Sequence, residues 1–215
     1  MSISSRTYDQ FCGIARALDL VGERWALLVV RDLLLGPKRF TDLRRGLPGI
    51  GTNILAARLK ELERAGVVRR RMLPPPAASA VYELTEYGRA LEGPLLAFGR
   101  WGALTMGRRN DGQALRSEWL VVALKAFFRP EAARDLSATV ELRFDDGTFL
   151  ARIDRGSLLV QPSVRDGADL VLTTEPETLI GYLAGAEVPA AALAPEGDEG
   201  LLERLPELFG FALSA

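Results

Sequence analysis

The sequence contains no histidine and only one cysteine, Cys12, in 215 residues. Without histidine the chain lacks the commonest general base and metal ligand, and it cannot form Ser-His or Cys-His nucleophile pairs. One cysteine cannot form an intramolecular disulfide, and no glycine-rich phosphate loop occurs. We therefore expect no cofactor, no metal site and no enzyme, although catalysis by carboxylates stays an alternative.

Long apolar runs are also absent. None approaches the roughly 20 residues that are needed to cross a bilayer, and the first residues lack the apolar stretch of a signal peptide. Apolar residues nevertheless make up 48% of the chain, which is enough to fill ordinary cores. We therefore expect a cytoplasmic protein with no membrane partner.

Charge is distributed unevenly along the chain. Residues 1–110 contain 18 Lys and Arg against 10 Asp and Glu, a net of +8, whereas residues 111–215 contain 9 against 18, a net of −9. A basic half suggests binding to nucleic acid, and an acidic half suggests a domain that does not bind it. We predict domains at 1–106 and 117–215, joined by a polar linker at 107–116.

Apolar periodicity and turn residues predict the order of elements in the first half. Two helices over 9–35 precede a short helix over 40–45, a helix over 52–65, two strands at 67–73 and 80–84, and a last long helix. We expect Thr52 and Thr85 to cap their helices, Gly66 to end the fourth, and Pro94 to kink the last. The proline-rich loop at 74–79 is predicted to project as a stiff, extended tip.

This order is that of a winged helix-turn-helix. The helix over 52–65 places Leu55, Leu59 and Leu62 inward and would present its opposite face to the major groove. Three arginines on the first strand would meet phosphates or the minor groove from the wing. Arg58 falls on the flank of the helix, where a structural ion pair is the alternative. The candidate DNA contacts are Lys38, Arg39, Thr52, Asn53, Ala57, Arg58, Lys60, Arg64, Arg69, Arg70 and Arg71.

Several motifs occur in an order that resembles the HxlR family of bacterial transcriptional regulators, which is related to the MarR group. The resemblance covers about residues 8–105 and rests on Cys12, residues 17–25, 31–33, 39–43, 47–50, 59–63 and 82–85. It implies a homodimer formed by the first and last helices of this domain, and a palindromic double-stranded DNA operator. Cys12 matches the position of a cysteine that some members use to sense oxidants or electrophiles, and a buried, inert thiol is the alternative.

The second half alternates apolar and polar residues as strands do. Val140, Leu142 and Phe144 share one face, and turn signals follow at 146–147, 155–156 and 166–167. Four or five antiparallel strands are predicted, with helices near 119–127 and 198–209 and a capping box at 174–177 that opens another. We expect an α+β chain overall: a winged helix-turn-helix domain followed by an α+β domain with an antiparallel sheet packed by helices.

The order of these elements, with residues 173–179, resembles the sterol-carrier-protein-like lipid-binding fold. Aromatic side chains of this domain could then line a cavity for an apolar small molecule or a lipid effector, although filling an ordinary core is the alternative. The domain could instead act as a protein-interaction module or extend a dimer interface. The candidate ligand contacts are Trp119, Phe127, Phe128, Phe144, Phe149 and Tyr182.

Overall fold

The computed structural model describes residues 7–76, 78–107, 109–110, 112–163 and 167–211. The chain divides into two compact units, Met1–Leu95 and Leu96–Ala215. The helix Glu92–Ala103 crosses this division. The domain boundaries drawn from the sequence remain a prediction.

Up to the end of its second strand, the first unit has the predicted order of elements. Its two strands are antiparallel, with Val68 opposite Leu84. Its helices are α1 (Gly13–Val21), α2 (Ala26–Leu33), α3 (Phe40–Gly46), α4 (Thr52–Arg64) and α5 (Glu86–Arg89), and its strands are β1 (Val68–Met72) and β2 (Ala80–Leu84). Helix α6 (Glu92–Ala103) begins in this unit and continues into the second.

The core of this unit forms where α4 packs on the other helices. Leu55, Leu59 and Leu62 recur at helical spacing and are buried, as predicted, with Val29 of α2 and Leu43 of α3. Because these residues share one face, α4 is left with an opposite face toward solvent. The helix ends at Arg64, two residues before Gly66, whose φ of +70° suits glycine and allows the chain to turn into β1.

The predicted cap of α4 is wrong. Gly51 occupies the N-cap position with extended backbone, and Thr52 is the first helical residue. The Thr52 hydroxyl instead accepts a hydrogen bond from Nη1 of Arg44 at 3.3 Å. Its side chain is therefore tied to α3 and does not cap its own helix.

The single kinked helix predicted from Thr85 is two helices. Thr85 caps α5 as predicted, because its hydroxyl accepts a hydrogen bond from the Gly88 amide at 2.9 Å. The chain then leaves the helix at Ala90 and Leu91. Pro94 has no amide with which to reach the Ala90 carbonyl, so the break falls there and Pro94 lies in the first turn of α6.

The proline-rich loop closes into a turn and does not extend. The Ala78 amide donates to the Pro74 carbonyl at 3.2 Å, and the Leu73 amide donates to the Ser79 carbonyl at 2.9 Å. Proline lacks an amide donor but keeps its carbonyl acceptor, so it can still close a turn. Ala77 lies outside the described residues.

The second unit contains a five-stranded sheet in the order β5-β4-β3-β6-β7. A 3₁₀ turn follows its first helix at Pro130–Ala133. The strands are β3 (Ser137–Phe144), β4 (Gly147–Asp154), β5 (Ser157–Pro162), β6 (Leu170–Thr173) and β7 (Pro195–Gly197), and the helices are α7 (Ser117–Phe127), α8 (Pro176–Leu183), α9 (Ala190–Leu193) and α10 (Glu199–Leu208).

The sheet is mixed, so the prediction of a purely antiparallel sheet is wrong. β3 and β6 run parallel, with Val140 opposite Leu170. The chain reaches β6 from the edge strand β5 and joins the far side of β3, so no hairpin turn sets its direction. Asp166, in the predicted turn at 166–167, lies outside the described residues.

The predicted capping box at 174–177 is also wrong. Glu175 occupies the N-cap position and Pro176 begins α8, which suits the fixed φ of proline. The Thr174 hydroxyl donates to the Ala192 carbonyl at 2.7 Å and so connects α8 with α9. The start of α10 is as predicted: the Asp198 carboxylate accepts a hydrogen bond from the Leu201 amide at 3.0 Å.

The predicted linker falls within the second unit, and part of it is bound to α8. Arg109 donates from Nε and Nη2 to one carboxylate oxygen of Glu177 at 2.9 and 2.6 Å, and from Nη1 to the Gln113 carbonyl at 3.0 Å. Arg108 and Asp111 lie outside the described residues.

Among the described residues, no helix is both long enough and apolar enough to span a membrane. The same residues include no group of three or more Cys, Asp or Glu side chains placed to hold a metal ion.

Candidate nucleic-acid interface

The exposed face of α4 carries the side chains predicted to read bases. Asn53, Ala57, Lys60 and Arg64 are all exposed, opposite the buried leucines. The structure thus brings these four predicted residues together on one helix face. An amide and two cations on such a face offer hydrogen-bond donors to base edges and phosphates.

Ile54 is an exposed residue of α4 that sequence reasoning missed. It lies beside Asn53 in the first turn and is 48% exposed. The buried leucines of α4 recur with the period of the helix, and Ile54 falls outside that period. An apolar residue away from the buried face was the sequence signal that could have identified it. An exposed apolar side chain at this position can contact a thymine methyl group.

Arg58 forms a structural ion pair, the alternative that the sequence left open. It pairs with Glu61 on the same helix and lies 3.6 Å from Glu23 in the turn between α1 and α2. Its side chain is only 12% exposed. Arg58 therefore anchors α4 to the rest of its unit.

Three further basic residues lie near the start of α3 or the start of α4. The Lys38 amide donates to the carbonyl of Tyr82 in β2 at 2.9 Å, and the Tyr82 amide donates to the Lys38 carbonyl at 2.8 Å. Arg39 precedes α3 and is exposed. Arg44, which was not predicted, is exposed and donates to Thr52 at the first residue of α4.

The three arginines of β1 do not share one environment. Successive side chains of a strand point to opposite sides, so Arg69 and Arg71 face one side and Arg70 the other. Arg69 and Arg71 both bind Glu83, which lies across from Arg69 on β2. Arg70 forms no ion pair within the part of the chain that the structure describes.

Glu83 was not among the predicted site residues. The residue is 5% exposed, and its carboxylate accepts from Arg69 Nε at 2.7 Å, from Arg71 Nε at 3.1 Å and from Arg71 Nη2 at 3.1 Å. The Arg71 guanidinium, followed by that of Arg69, holds the pKa of Glu83 below its usual value, although burial acts in the opposite direction. Strand alternation alone could not find this cluster, because the pairing register of β1 and β2 was needed.

Apolar side chains are exposed on two helices of the basic half. On α1, Ile14 and Leu18 are exposed, and Phe11 just before the helix is fully exposed. On α6, Phe98 and Trp101 are exposed and stack with ring centroids 5.6 Å apart. Exposed apolar side chains that cluster on one helix, as on each of these two, are typical of protein interfaces.

The Cys12 thiol is exposed, so the alternative of a buried thiol is wrong, and its reactivity stays a prediction. Cys12 occupies the N-cap position of α1. The backbone amide of Ala15, and then that of Ile14, lower the pKa of the thiol below its usual value. Helix N-termini stabilise thiolates in this way because their amides are unpaired.

The six aromatic residues proposed to line a cavity lie in different surroundings. Phe144 and Phe149 contact each other, Phe127 packs on Phe211, and Phe128 packs on Phe209. Trp119 lies in the first turn of α7, and the Tyr182 hydroxyl donates to the Leu202 carbonyl at 2.8 Å. The structure does not bring the six together around one space.

An apolar cavity of about 20 Å³ does lie between the sheet and its helices. This volume is room for about one water molecule and far less than a lipid requires. None of the six predicted aromatic residues lines it. Its walls are Leu124, Val140, Leu142, Ala151, Ile153, Leu179, Leu183, Leu205 and Phe209.

The helices, the exposed face of α4 and the two-stranded wing define a winged helix-turn-helix protein. Residues 20–110 match the family described as HxlR-like helix-turn-helix. The chain is 38% identical over 86 residues to the uncharacterized HTH-type transcriptional regulator YvaP of Bacillus subtilis, covering 40% of this chain and 80% of YvaP. The chain therefore belongs to the HxlR family of transcriptional regulators.

Other Bacillus subtilis regulators are similar over the same half. The HTH-type transcriptional regulator YodB is 40% identical over 85 residues, which is 40% of this chain and 76% of YodB. The uncharacterized regulator YdeP is 34% identical over 105 residues, which is 49% of this chain and 82% of YdeP. These relatives are transcriptional regulators and not enzymes.

Solved structures of similar proteins include the quinone-bound YodB from B. subtilis and the redox regulator HypR in its reduced form. The first has 36% identity and a TM-score of 0.37, and covers 41% of this chain and 93% of its own. The second has 34% identity and a TM-score of 0.40, and covers 42% of this chain and 90% of its own.

Proposed function

We propose that this regulator binds a double-stranded DNA operator as a homodimer, with α4 in the major groove. The observation that carries the proposal is the polar, exposed face of α4 on a unit whose half of the chain has a net charge of +8. Asn53 and Lys60 would contact base edges, and Ile54 would contact a thymine methyl group. Arg64, Lys38, Arg39 and Thr52 would contact phosphates.

Arg58, which the sequence predicted as a DNA contact, is not included among the proposed contacts. Its guanidinium is paired inside the protein and largely buried, so binding a phosphate would require breaking two ion pairs. Its proposed role is to hold the angle of α4. The wing contributes Arg69 and Arg70 to the proposed interface.

The proposed homodimer uses the exposed apolar surfaces of α1 and α6. Dimers of this fold place two equivalent helices in successive major grooves about 34 Å apart, which matches a palindromic operator. Burying a large apolar side chain is favourable by about 1.5–3 kcal/mol, so burial of these surfaces would stabilise the dimer.

Substitutions on α4 test operator binding. Lys60→Ala should weaken binding to the DNA upstream of the protein's own gene by about 1–3 kcal/mol and relax its preference for that sequence. Arg134→Ala removes the same charge from an exposed position of the second unit and is the matched control. Equal effects of the two substitutions would show that α4 reads no sequence.

A second candidate concerns regulation by oxidants or electrophiles at Cys12. The observation that favours it is an exposed thiol whose pKa is lowered at the start of α1, the helix proposed to form the dimer. Modification there would change the dimer surface and so the spacing of the two α4 helices. Cys12→Ser should keep operator binding and lose its response to a quinone or a peroxide, whereas an unchanged response would exclude this site.

Binding of an apolar effector in the second unit stays a further hypothesis. The cavity of about 20 Å³ is its only support among the described residues, and it would have to expand to admit a ligand. Ala151→Val would fill most of this small cavity without overpacking the core, and should reduce any release of DNA by fatty acids or aromatic metabolites. If no such compound affects DNA binding by the unsubstituted protein, the effector hypothesis fails. The alternative that the second unit is a protein-interaction or dimer-extension module then replaces it.

A further inference from the structure

A buried carboxylate lies within the wing that is proposed to bind DNA. Glu83 on β2 binds two of the three consecutive arginines on β1, and both of them face it from the same side of the strand. A glutamate here cancels one of their two positive charges. If the wing only needed positive charge near phosphates, this carboxylate would weaken its function.

The two arginines use their donors differently. Arg71 places Nε on one oxygen of Glu83 and Nη2 on the other, which is the two-point geometry that holds a guanidinium most firmly. Arg69 uses Nε alone, at 2.7 Å. Both terminal amino groups of Arg69 are without a partner in the described part of the chain, and its side chain is 61% exposed, against 43% for Arg71.

We propose that Glu83 is a positioning residue for DNA binding, which holds Arg69 by Nε so that its terminal amino groups meet a phosphate. Arg71 holds the Glu83 carboxylate in place through its two hydrogen bonds. Arg70, on the other side of β1, contacts DNA independently. A guanidinium fixed in advance loses less side-chain entropy on binding than a free one. This inference rests on the proposed binding of operator DNA.

Neutralising Glu83 tests the inference through the direction of the effect. Glu83→Gln adds one positive charge to the wing, so a purely electrostatic role predicts tighter DNA binding. A positioning role predicts that operator binding weakens, on the order of tenfold, which is the effect of losing one charge-assisted hydrogen bond. Glu86→Gln is the matched control, because Glu86 is exposed three residues further on and forms no ion pair within the described residues.

The dependence of binding on salt separates positioning from a loss of folding. Glu83→Gln should lower the slope of log affinity against log salt by about 0.9, the value of one phosphate contact, despite its added charge. Arg69→Ala should lower the slope equally, and the double substitution should be no worse than Arg69→Ala alone. Arg70→Ala should add its own loss in either background.

A tighter or equal operator complex of Glu83→Gln overturns the inference, and Glu86→Gln shows how much of any change follows from the added charge alone. If Glu83→Gln does not fold, as judged by circular dichroism, Arg69→Lys takes its place: it keeps the charge but lacks the guanidinium. Weaker binding by Arg69→Lys supports the inference, and unchanged binding overturns it. A wild-type protein without salt-dependent operator binding would refute the proposed function itself, which is a distinguishable result.

Discussion

The guanidinium of Arg58 in α4 lies 3.6 Å from a carboxylate oxygen of Glu23, in the turn between α1 and α2. This ion pair connects the helix proposed to read DNA with the end of the helix proposed to form the dimer. It also explains why a basic residue of α4 is largely buried. The orientation of α4 thus depends on a contact away from the proposed DNA surface.

Arg58→Ala should destabilise the protein by about 1–2 kcal/mol, because both the ion pairs and the packing of the long aliphatic stem are lost. Urea unfolding followed by circular dichroism measures this change. Lys60→Ala, on the exposed face of the same helix, is the control and should change stability by less than about 0.5 kcal/mol. A stability of Arg58→Ala equal to that of Lys60→Ala would contradict the anchoring role.

Gly88 is required by the close approach of α5 to the chain at the start of β1. A Cβ added at this position would lie 2.0 Å from the Val67 carbonyl oxygen, which is backbone and cannot move aside easily. Gly88→Ala should therefore destabilise the protein by about 1–3 kcal/mol through overpacking.

Gly93→Ala provides the control for Gly88→Ala in thermal unfolding. Gly93 lies in α6 with nothing within 4 Å of the added Cβ, so alanine should leave stability unchanged or raise it by up to about 1 kcal/mol. An equal effect of the two substitutions on stability would contradict the close approach of Gly88 to the Val67 carbonyl.

Trp101→Ser tests the proposed dimer. The side chain is 67% exposed in the single chain, so its loss should leave the fold intact while removing apolar dimer contact. Sedimentation at micromolar concentration should show a shift from dimer toward monomer. Leu159→Ser, at an exposed leucine of β5, should stay dimeric, and a Trp101→Ser protein that remains fully dimeric would count against the use of α6.

The rate of alkylation of Cys12 against pH tests the state of its thiol. The chain has one cysteine, so the reaction with iodoacetamide reports on Cys12 alone. Because backbone amides lower its pKa, the rate should reach half its maximum below about pH 8.5, the ordinary value for cysteine. A midpoint at or above that pH would remove the basis for a sensing role.

Sequence patterns predicted the elements that repeat over several turns or strand residues. Leu55, Leu59 and Leu62 identified α4 and its buried face, and the alternation of Val140, Leu142 and Phe144 identified β3. These patterns work because burial repeats with the period of the backbone. The four-residue α9 and the three-residue β7 are too short to produce such a pattern.

Contacts between distant residues could not be predicted in the same way. The pair Arg69 and Glu83 depends on the register of two strands, and the parallel pairing of β3 with β6 depends on how the chain crosses the sheet. The exposure of Cys12 depends on what packs against α1. In each case, the local sequence does not determine which distant residue lies next to the one in question.

Equilibrium binding of the 215-residue chain to the DNA upstream of its own gene tests the central claim most directly. Affinity should be measured between about 50 and 200 mM salt, beside a scrambled duplex of equal length. Operator binding should be tighter than binding to the scrambled duplex, and should fall by about 10³-fold or more over this range if six or more phosphates are contacted. Equal affinity for both duplexes, or affinity independent of salt, would contradict the account.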